Sequence, residues 1–453
     1  MIILIHSETT ESTLHGNLGR AEYSYYFVVK AFRPVLTRLG IVVPVRDPVR
    51  DVTAIHANAA QHGEECVFLS FAAPHNTPLG LSCQTIPVFA WEFDTLPNEV
   101  WDDDPRNDWG YVLRRTGRAI THSAFAADTT RAALGRDFPV ASIPAPVWDA
   151  HAGLFRTSGN GPALPAGLTV QVAGRVIDTR AIDLSLYNSP ERRVNGWAPL
   201  PPASEGAMRL RLDGVIYTTV LNPHDGRKNW IDMLDAFVWG LRNQADATLI
   251  LKLTHSEPDG AISRMLERLS KLTPFLCRVV LIDGYLSDDD YALLMSATTF
   301  AVNTSHGEGQ CLPLMEFMSA GKPAVTPDHT AMADYATTEN AFLVASSPEP
   351  AFWPHDPRNI YRTLRRRLVF ESLMKAFTDS YAVARRDPLR YAAMSEAAHE
   401  TMRAHCSEAE TIRRLRPILS LSPVREVALR PDPLRPERVV GDLPPPASGL
   451  VGL

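Results

Sequence analysis

The chain has 453 residues, 45% of them hydrophobic and 21% charged, with a formal net charge of −6. That is globular composition, too long for one ordinary core and suited to two domains with additions, and the negative balance argues against a general nucleic-acid binder. The five cysteines, Cys66, Cys83, Cys277, Cys311 and Cys406, are scattered without a CxxC pair, so they point to neither a zinc site nor a disulfide framework and suit a reducing cytoplasm.

The chain opens "MIILIHSE", with no basic n-region and no long apolar segment, so a first buried strand is expected there and no signal peptide. No stretch approaches the roughly 18 apolar residues of a membrane span, which predicts a soluble or peripheral protein. Short apolar runs then alternate with helical stretches. Strands are predicted at Ile2–His6, 41–45, Cys66–Phe71, 86–91, 118–123 and 140–146, with helices at 20–39 and Ala124–Leu134. Runs that are apolar on both faces suit parallel strands covered on both sides. Residues 148–213 are rich in Pro, Gly and Arg and read as linker plus an inserted or appended element. A second alternating series follows, with strands at 214–221, 247–254, 277–284, 298–305, 323–328 and 341–347. Between the first two of these, Trp230, Met233, Leu234, Phe237, Val238 and Leu241 form a helical apolar stripe. Helices are expected over 358–403, including a basic helical face in "RTLRRRL". From 420 the Pro/Arg-rich chain reads as an extended or disordered tail. Two βα series predict an α/β protein with two doubly wound domains facing across a cleft, the ligand lying near the carboxyl ends of the strands.

Two stretches of the second series carry the candidate chemistry. "HGEGQCLPLMEFMSAGKP" begins at His306, directly after a predicted strand. Gly307 and Gly309 make a loop that lets backbone approach a ligand, Pro313 fits a first helical turn, and Glu316 is a lone charge on an apolar helix. A buried carboxylate needs hydrogen-bond donors, and paired sugar hydroxyls would supply them. The plain alternative is that Glu316 complements the helix dipole while Glu308 is solvated. The second stretch, "NPHDGRKNW", places Arg227 and Lys228 at a helix start, where the macrodipole disfavours cations unless an anion is bound. A solvated basic turn is the plain alternative here.

These residues resemble the retaining glycosyltransferases of family 4, whose fold is the two-Rossmann GT-B arrangement. The resemblance rests on the strand-end Arg-Lys turn, on "GYL" after a strand, and on Glu308 and Glu316 as an E-x7-E pair within "EGQCLPLMEFMSAGKP"; it spans 214–335. In the first half, "WEFDTLPNEVW" and "ITHSAFAADTTRAAL" are similar to segments of some members. The resemblance implies that Glu308 contacts hydroxyls of the donor sugar and that backbone from Gly309 through Gln310 and Cys311 to Leu312 lies along sugar and phosphate. It implies that Glu316 holds the ribose, that Arg227 and Lys228 neutralise the diphosphate, and that a loop at Gly284, Tyr285 and Leu286 meets the base. Family members usually carry Phe-Gly where this chain has Gln310–Cys311. Gly16 and Gly19, just before a helix, are similar to the family's first glycine-rich loop, near donor phosphate or acceptor; a helix-cap loop explains them equally well. His122 and His75 are candidates for polarising a hydroxyl or phosphate, with a structural role as the alternative. Glu92 could meet an acceptor or be a structural contact.

The expected protein is therefore a metal-independent transferase with no cofactor, moving a sugar from a nucleotide-sugar donor to a saccharide or lipid-linked acceptor with retention, in polysaccharide or glycoconjugate synthesis. Glu308, Arg227, Lys228 and His122 would carry the catalysis. A sugar-nucleotide epimerase and a decayed scaffold are the alternatives. The acidic runs at 102–104 and 288–290 are read as non-metal. The expected setting is cytoplasmic, with no nucleic-acid partner and with contact to the inner membrane face through the basic stretch. The expected domains are 1–165 (acceptor), 166–212 (linker or insert), 213–395 (nucleotide sugar), 396–419 (C-terminal helix) and 420–453 (tail).

Overall fold

A computed structural model describes residues 1–9, 23–155, 167–188, 199–203 and 206–420. Gly16, Gly19 and the predicted tail lie outside these residues. The first sheet holds β1 (Ile2–His6), β2 (Ile41–Pro44), β3 (Cys66–Phe71), β4 (Gln84–Phe89), β5 (Ala119–Thr121) and β6 (Val140–Ser142). All its pairings are parallel, in the order β2-β1-β3-β4-β5-β6. Crossovers join the strands, as parallel pairing requires, with α-helices in all but the β3–β4 connection, which holds a single short turn at Pro74–Asn76.

The second sheet contains β7 (Leu168–Asp178), β8 (Ala207–Leu212), β9 (Val215–Leu221), β10 (Ala247–Leu253), β11 (Arg278–Tyr285), β12 (Phe300–Val302), β13 (Ala324–Pro327) and β14 (Ala341–Val344). Their order is β14-β13-β12-β9-β10-β11-β7-β8. Strands β7 and β8 come from the stretch read as linker or insert. They form an antiparallel edge, β7 pairing with both β11 and β8. The alternating burial of β7 is that of a strand covered on one face only.

The basic stretch at Tyr361–Leu368 is not a helical face. It is a strand, β16, paired antiparallel with β15 (Ser346–Phe352), and helix begins only at Phe370. The hairpin departs from the second sheet and docks on the first half of the chain. Trp353 donates to Thr95 Oγ1 at 3.1 Å, Thr95 Oγ1 donates to the Arg362 carbonyl at 2.9 Å, and Arg358 sits over the ring of Trp101. Ala351 and Trp353 share a core with Phe89, Trp91, Trp101 and Trp109. A three-arginine run that would leave a helix with no buried side becomes a strand because its neighbours supply one.

The two halves share apolar packing as well. Ile3, Leu69 and Val88 of the first sheet belong to one core with Met315 and Met318 of helix Leu312–Ser319 and with Met402, Leu415 and Ile418 of the last two helices, Pro388–Cys406 and Glu408–Ser420.

Burial holds His122, His329 and His405 each near a pKa of about 4, below the ordinary 6.5. The unfolded chain therefore takes up these protons first, and stability falls as pH drops from about 6.5 towards 4. Each histidine contributes about 1.4 kcal/mol per pH unit in that window. Urea midpoints measured from pH 7 to pH 4.5 should decline steeply, and a flat profile would contradict the burial of these rings as neutral groups.

Candidate active site

The site is built where β9 and β12 end. After β9, Asp225 caps a tight turn by accepting from the Arg227 amide at 3.0 Å, and Asn229 takes a left-handed conformation (φ 50°) before helix Trp230–Leu241. This turn points Arg227 and Lys228 inward. After β12, residues 303–310 are buried throughout and lead to Cys311, also left-handed (φ 61°), which caps helix Leu312–Ser319. The two loops are laced together. The His306 amide donates to the Arg227 carbonyl at 2.8 Å, and Thr304 Oγ1 bonds the Lys228 and Asn229 carbonyls at 3.1 Å each.

Glu308 is the hub. It is 4% exposed and accepts from Lys228 Nζ at 2.6 Å, Ser305 Oγ at 2.5 Å and Arg227 Nη1 at 3.4 Å. Burial alone would raise its pKa, but Lys228 and Arg227 outweigh that and hold it at about 2. Burial works against the charge of both cations. The carboxylates of Glu92, Asp225 and Glu308 nonetheless keep Arg227 firmly protonated, and Glu308 does the same for Lys228. The Glu308 amide donates to Thr330 Oγ1 at 3.0 Å, and Thr330 is itself left-handed (φ 51°). Asparagine adopts this conformation readily, but in Cys311 and the β-branched Thr330 it costs about 1–2 kcal/mol each, and such strain gathers at functional sites. The φ of Cys311 is one that glycine adopts freely.

The first half of the chain closes the opposite wall. Glu92, three residues beyond β4, pairs with Arg227 Nη1 at 3.1 Å, and its own pKa is raised chiefly by burial. Gly309 meets Ala90. A Cβ at Gly309 would lie 2.5 Å from the Ala90 Cβ, and one at Gly307 would lie 3.1 Å from the Glu92 carbonyl oxygen. The glycines expected to admit a ligand therefore admit the facing half of the molecule. Gln310 also turns that way, its Oε1 accepting from the Ala145 amide at 3.1 Å, while its carbonyl accepts from Tyr335. Within the second half, beneath the two loops, lies a cavity of about 20 Å³ lined by Lys228, Asn303, Ser305, Glu308, Cys311 and Leu314, among others. That is room for about one water molecule.

The remaining expectations divide. Glu316 is the fifth residue of its helix, whose first turn holds no acid, so the dipole reading does not apply. The carboxylate is half-buried, and Oε2 accepts from Tyr291 OH at 2.8 Å. The loop expected at Gly284 and Tyr285 is the end of strand β11. Gly284 pairs with Gly174, so closely that a Cβ would lie 2.4 Å from the Ala173 carbonyl oxygen. Tyr285 is exposed and Leu286 is buried in the core that includes Val172 and Ile282. The backbone around Leu286 is thus the nearest match to the expected loop, and the strand reaches further because β7 gives it a partner. His122 is buried in the first half beside Phe32. Its Nδ1 bonds the Ile143 carbonyl at 3.0 Å, and its buried Nε2 has no partner among the described residues. None of its contacts is with Arg227, Lys228 or Glu308. His75 accepts from Trp109 Nε1 and packs on His355. Of the acidic runs, 288–290 forms the first turn of helix Asp288–Ala297, capped by Ser287. The ion pair between Glu92 and Arg227 was missed in the sequence; a charged residue just past a buried strand was its one signal.

Residues 214–353 match the family model described as glycosyl transferases group 1. No curated protein sequence matches the chain. Solved structures show the fold. A glycosyltransferase from Rickettsia africae ESF-5 is 11% identical with a TM-score of 0.53, over 93% of this chain and 99% of that one. Anabaena Alr3699/HepE in complex with UDP and glucose is 12% identical with a TM-score of 0.50, over 93% and 99%. The S. aureus TarM mutant in complex with fondaparinux, GlcNAc-glycerol and UDP is longer: this chain spans 55% of it, with 79% of its own length, at 12% identity and a TM-score of 0.45. The architecture is GT-B, two Rossmann-like halves with the Arg227–Glu308 site between them. Among the described residues, no helix is long and apolar enough to cross a membrane.

Proposed function

We propose that this protein is a glycosyltransferase that moves a sugar from a nucleotide-sugar donor to a hydroxyl of a saccharide or lipid-linked acceptor, with retention at the anomeric carbon. The observation that carries the reading is the buried set of Arg227, Lys228 and Glu308, built from two strand-end loops within the matched region.

Two cations fixed by their own loops are suited to a diphosphate. Arg227 offers a planar fork and Lys228 a point charge. As the sugar–phosphate bond breaks, charge grows on the leaving diphosphate, and preorganised cations stabilise it more than they stabilise the bound donor. Glu308 holds both cations in place and, by resemblance, takes hydroxyls of the donor sugar. Glu92 reaches Arg227 from the other half, so a donor diphosphate would take over the side of Arg227 that Glu92 now occupies. That exchange requires the halves to part and close again, a movement that excludes water and aligns the acceptor. The role expected of His122 would need its Nε2, now buried without a partner among the described residues, to become accessible when the halves part. Glu316, braced by Tyr291, keeps Oε1 for the ribose. UDP is the first nucleotide to test, since HepE was solved with UDP and glucose.

The test is thermal stabilisation by UDP, GDP, ADP, CMP and their sugar conjugates. A ligand at 100 times its Kd stabilises the native state by about 2.7 kcal/mol. One nucleotide series should raise Tm in the wild type, and the rise should vanish in Lys228→Ala. No rise with any of them, or an equal rise in the variant, would overturn the assignment.

A further inference from the structure

The β15–β16 hairpin has two unlike faces. Its inner face docks on the first half of the chain through Ala351 and Thr363, and Asp94 Oδ1 accepts from Thr363 Oγ1 and from the Leu364 amide, both at 2.8 Å. Its outer face exposes Phe352, Tyr361 and Leu364, with Tyr361 63% exposed. Phe352 and Tyr361 are cross-strand partners, their rings edge to face at 6.2 Å. Asp94, Thr95, Pro350, Tyr361, Arg362 and Leu364 border a depression of about 330 Å³. It is a shallow, open depression, suited to one face of a ligand rather than to enclosing it.

Its position follows from the chain. Two residues before Asp94 stands Glu92, paired with Arg227. Two residues after Leu364 stands Arg366, whose amide donates to the His306 carbonyl at 2.9 Å and whose carbonyl bonds His306 Nδ1 at 2.8 Å. Two residues of extended chain span at most about 7 Å. One rim thus leads within two residues to Glu92, and the other leads through Arg366 to His306, two residues before Glu308, one from each half of the molecule.

The chemistry of the depression is mixed. Its one lining arginine among the described residues, Arg362, pairs with Glu99 at 2.5 Å. An anion in the depression itself would find no cation without a carboxylate partner among its described lining residues. What remains is an exposed phenol ring that is apolar on its face and polar at its tip, beside a carboxylate and a guanidinium. Asp94 Oδ2 takes no hydrogen bond from the described residues. An uncharged polyhydroxyl ring, with C–H faces and outward hydroxyls, matches this set.

We propose that this depression is a saccharide subsite that holds the acceptor next to its reacting hydroxyl. This rests on the glycosyltransferase reading and names the acceptor class as carbohydrate. A sugar ring would lie on Tyr361 and Phe352, with hydroxyls donated to Asp94 and accepting from Arg362.

The test is saturation-transfer difference NMR on the full chain with maltose, cellobiose, mannobiose and diacetylchitobiose as probes. Wild type is compared with Tyr361→Ala and Phe352→Ala, with Tm and the UDP shift recorded for each. Both side chains are exposed, so the variants should keep the wild-type Tm and UDP response. At least one disaccharide should show ring-proton transfer in the wild type, and that signal should be lost in Tyr361→Ala. No transfer from any disaccharide, or transfer that survives Tyr361→Ala, overturns the subsite. So does sedimentation with phosphatidylcholine–phosphatidylglycerol vesicles that depends on Tyr361, which would make the face a lipid contact. Tyr361-dependent disaccharide transfer without any nucleotide shift would leave the subsite standing and remove the donor reading.

Discussion

Replacing Glu308 with alanine should abolish sugar transfer and destabilise the protein by about 3–5 kcal/mol, the range for removing one partner of a buried ion pair. The carboxylate is 4% exposed and answers Lys228, Arg227 and Ser305 together. Without it, Lys228 is left buried beside Arg227, two like charges with one fewer counterion. The pH dependence has a definite sign. The folded pKa of Glu308 is about 2, against an ordinary 4.5. Its contribution is therefore fully present above about pH 4.5 and is lost as pH falls towards 2. Urea unfolding at pH 7 measures the destabilisation directly. Pairing the change with Lys228→Met should recover much of it, because the stranded charge goes too. Transfer should not recover, since the loss of a cation that stabilises the leaving group typically costs at least about a hundredfold. A destabilisation below 1 kcal/mol would mean that Glu308 is solvated and the buried network is absent.

Gly309→Ala should reduce transfer by about a hundredfold or more, the scale of a 1 Å misplacement at a reacting centre. The loss should fall on the rate far more than on nucleotide affinity. The added methyl would sit 2.5 Å from the Ala90 Cβ and 3.2 Å from both the Ala90 Cα and the Trp91 nitrogen. Two of those neighbours are backbone and cannot swing aside, so the halves must separate. Arg227, Lys228 and Glu316 lie on the second half and keep their own loop and helix contacts, so the nucleotide affinity should fall far less than the rate. Separation breaks the pair between Glu92 and Arg227 and the bond from Ala145 to Gln310. Ala90→Gly removes the opposing methyl, and adding it to Gly309→Ala should restore a large part of the rate. Steady-state kinetics on the two single variants and the double variant decide the matter: full activity in Gly309→Ala, or no rescue in the double variant, would show that closure at this point does not limit transfer.

The two βα series were readable because parallel strands covered on both faces must be apolar along their whole length, as "VIYTTVL" and "CVFLSF" are. Arg227, Lys228 and Glu308 stood out as charges set where local physics disfavours them, two cations at a helix start and a carboxylate in an apolar setting. What stayed hidden depends on distant partners. Nothing near Gly309 announces Ala90, and nothing near Glu316 announces Tyr291. The run at Tyr361–Leu368 read as a basic helical face, and its docking against the tryptophan cluster of the first half makes it a strand. Gly284 looked like a loop because its partner strand β7 lies in a stretch whose composition suggested a linker.

The return of the last helix has a consequence for how the protein is made. Helix Glu408–Ser420 packs on helix Ser24–Thr37 and strand β6, and the Ile418 carbonyl accepts from the buried Arg118. During synthesis at about 5–20 residues per second, that helix leaves the ribosome about 280 residues after β6, on the order of 15–60 s later. For that interval the first sheet is fully translated but bare on the surface this helix will cover. The first half therefore matures last, and its apolar underside is the surface a chaperone would have to guard.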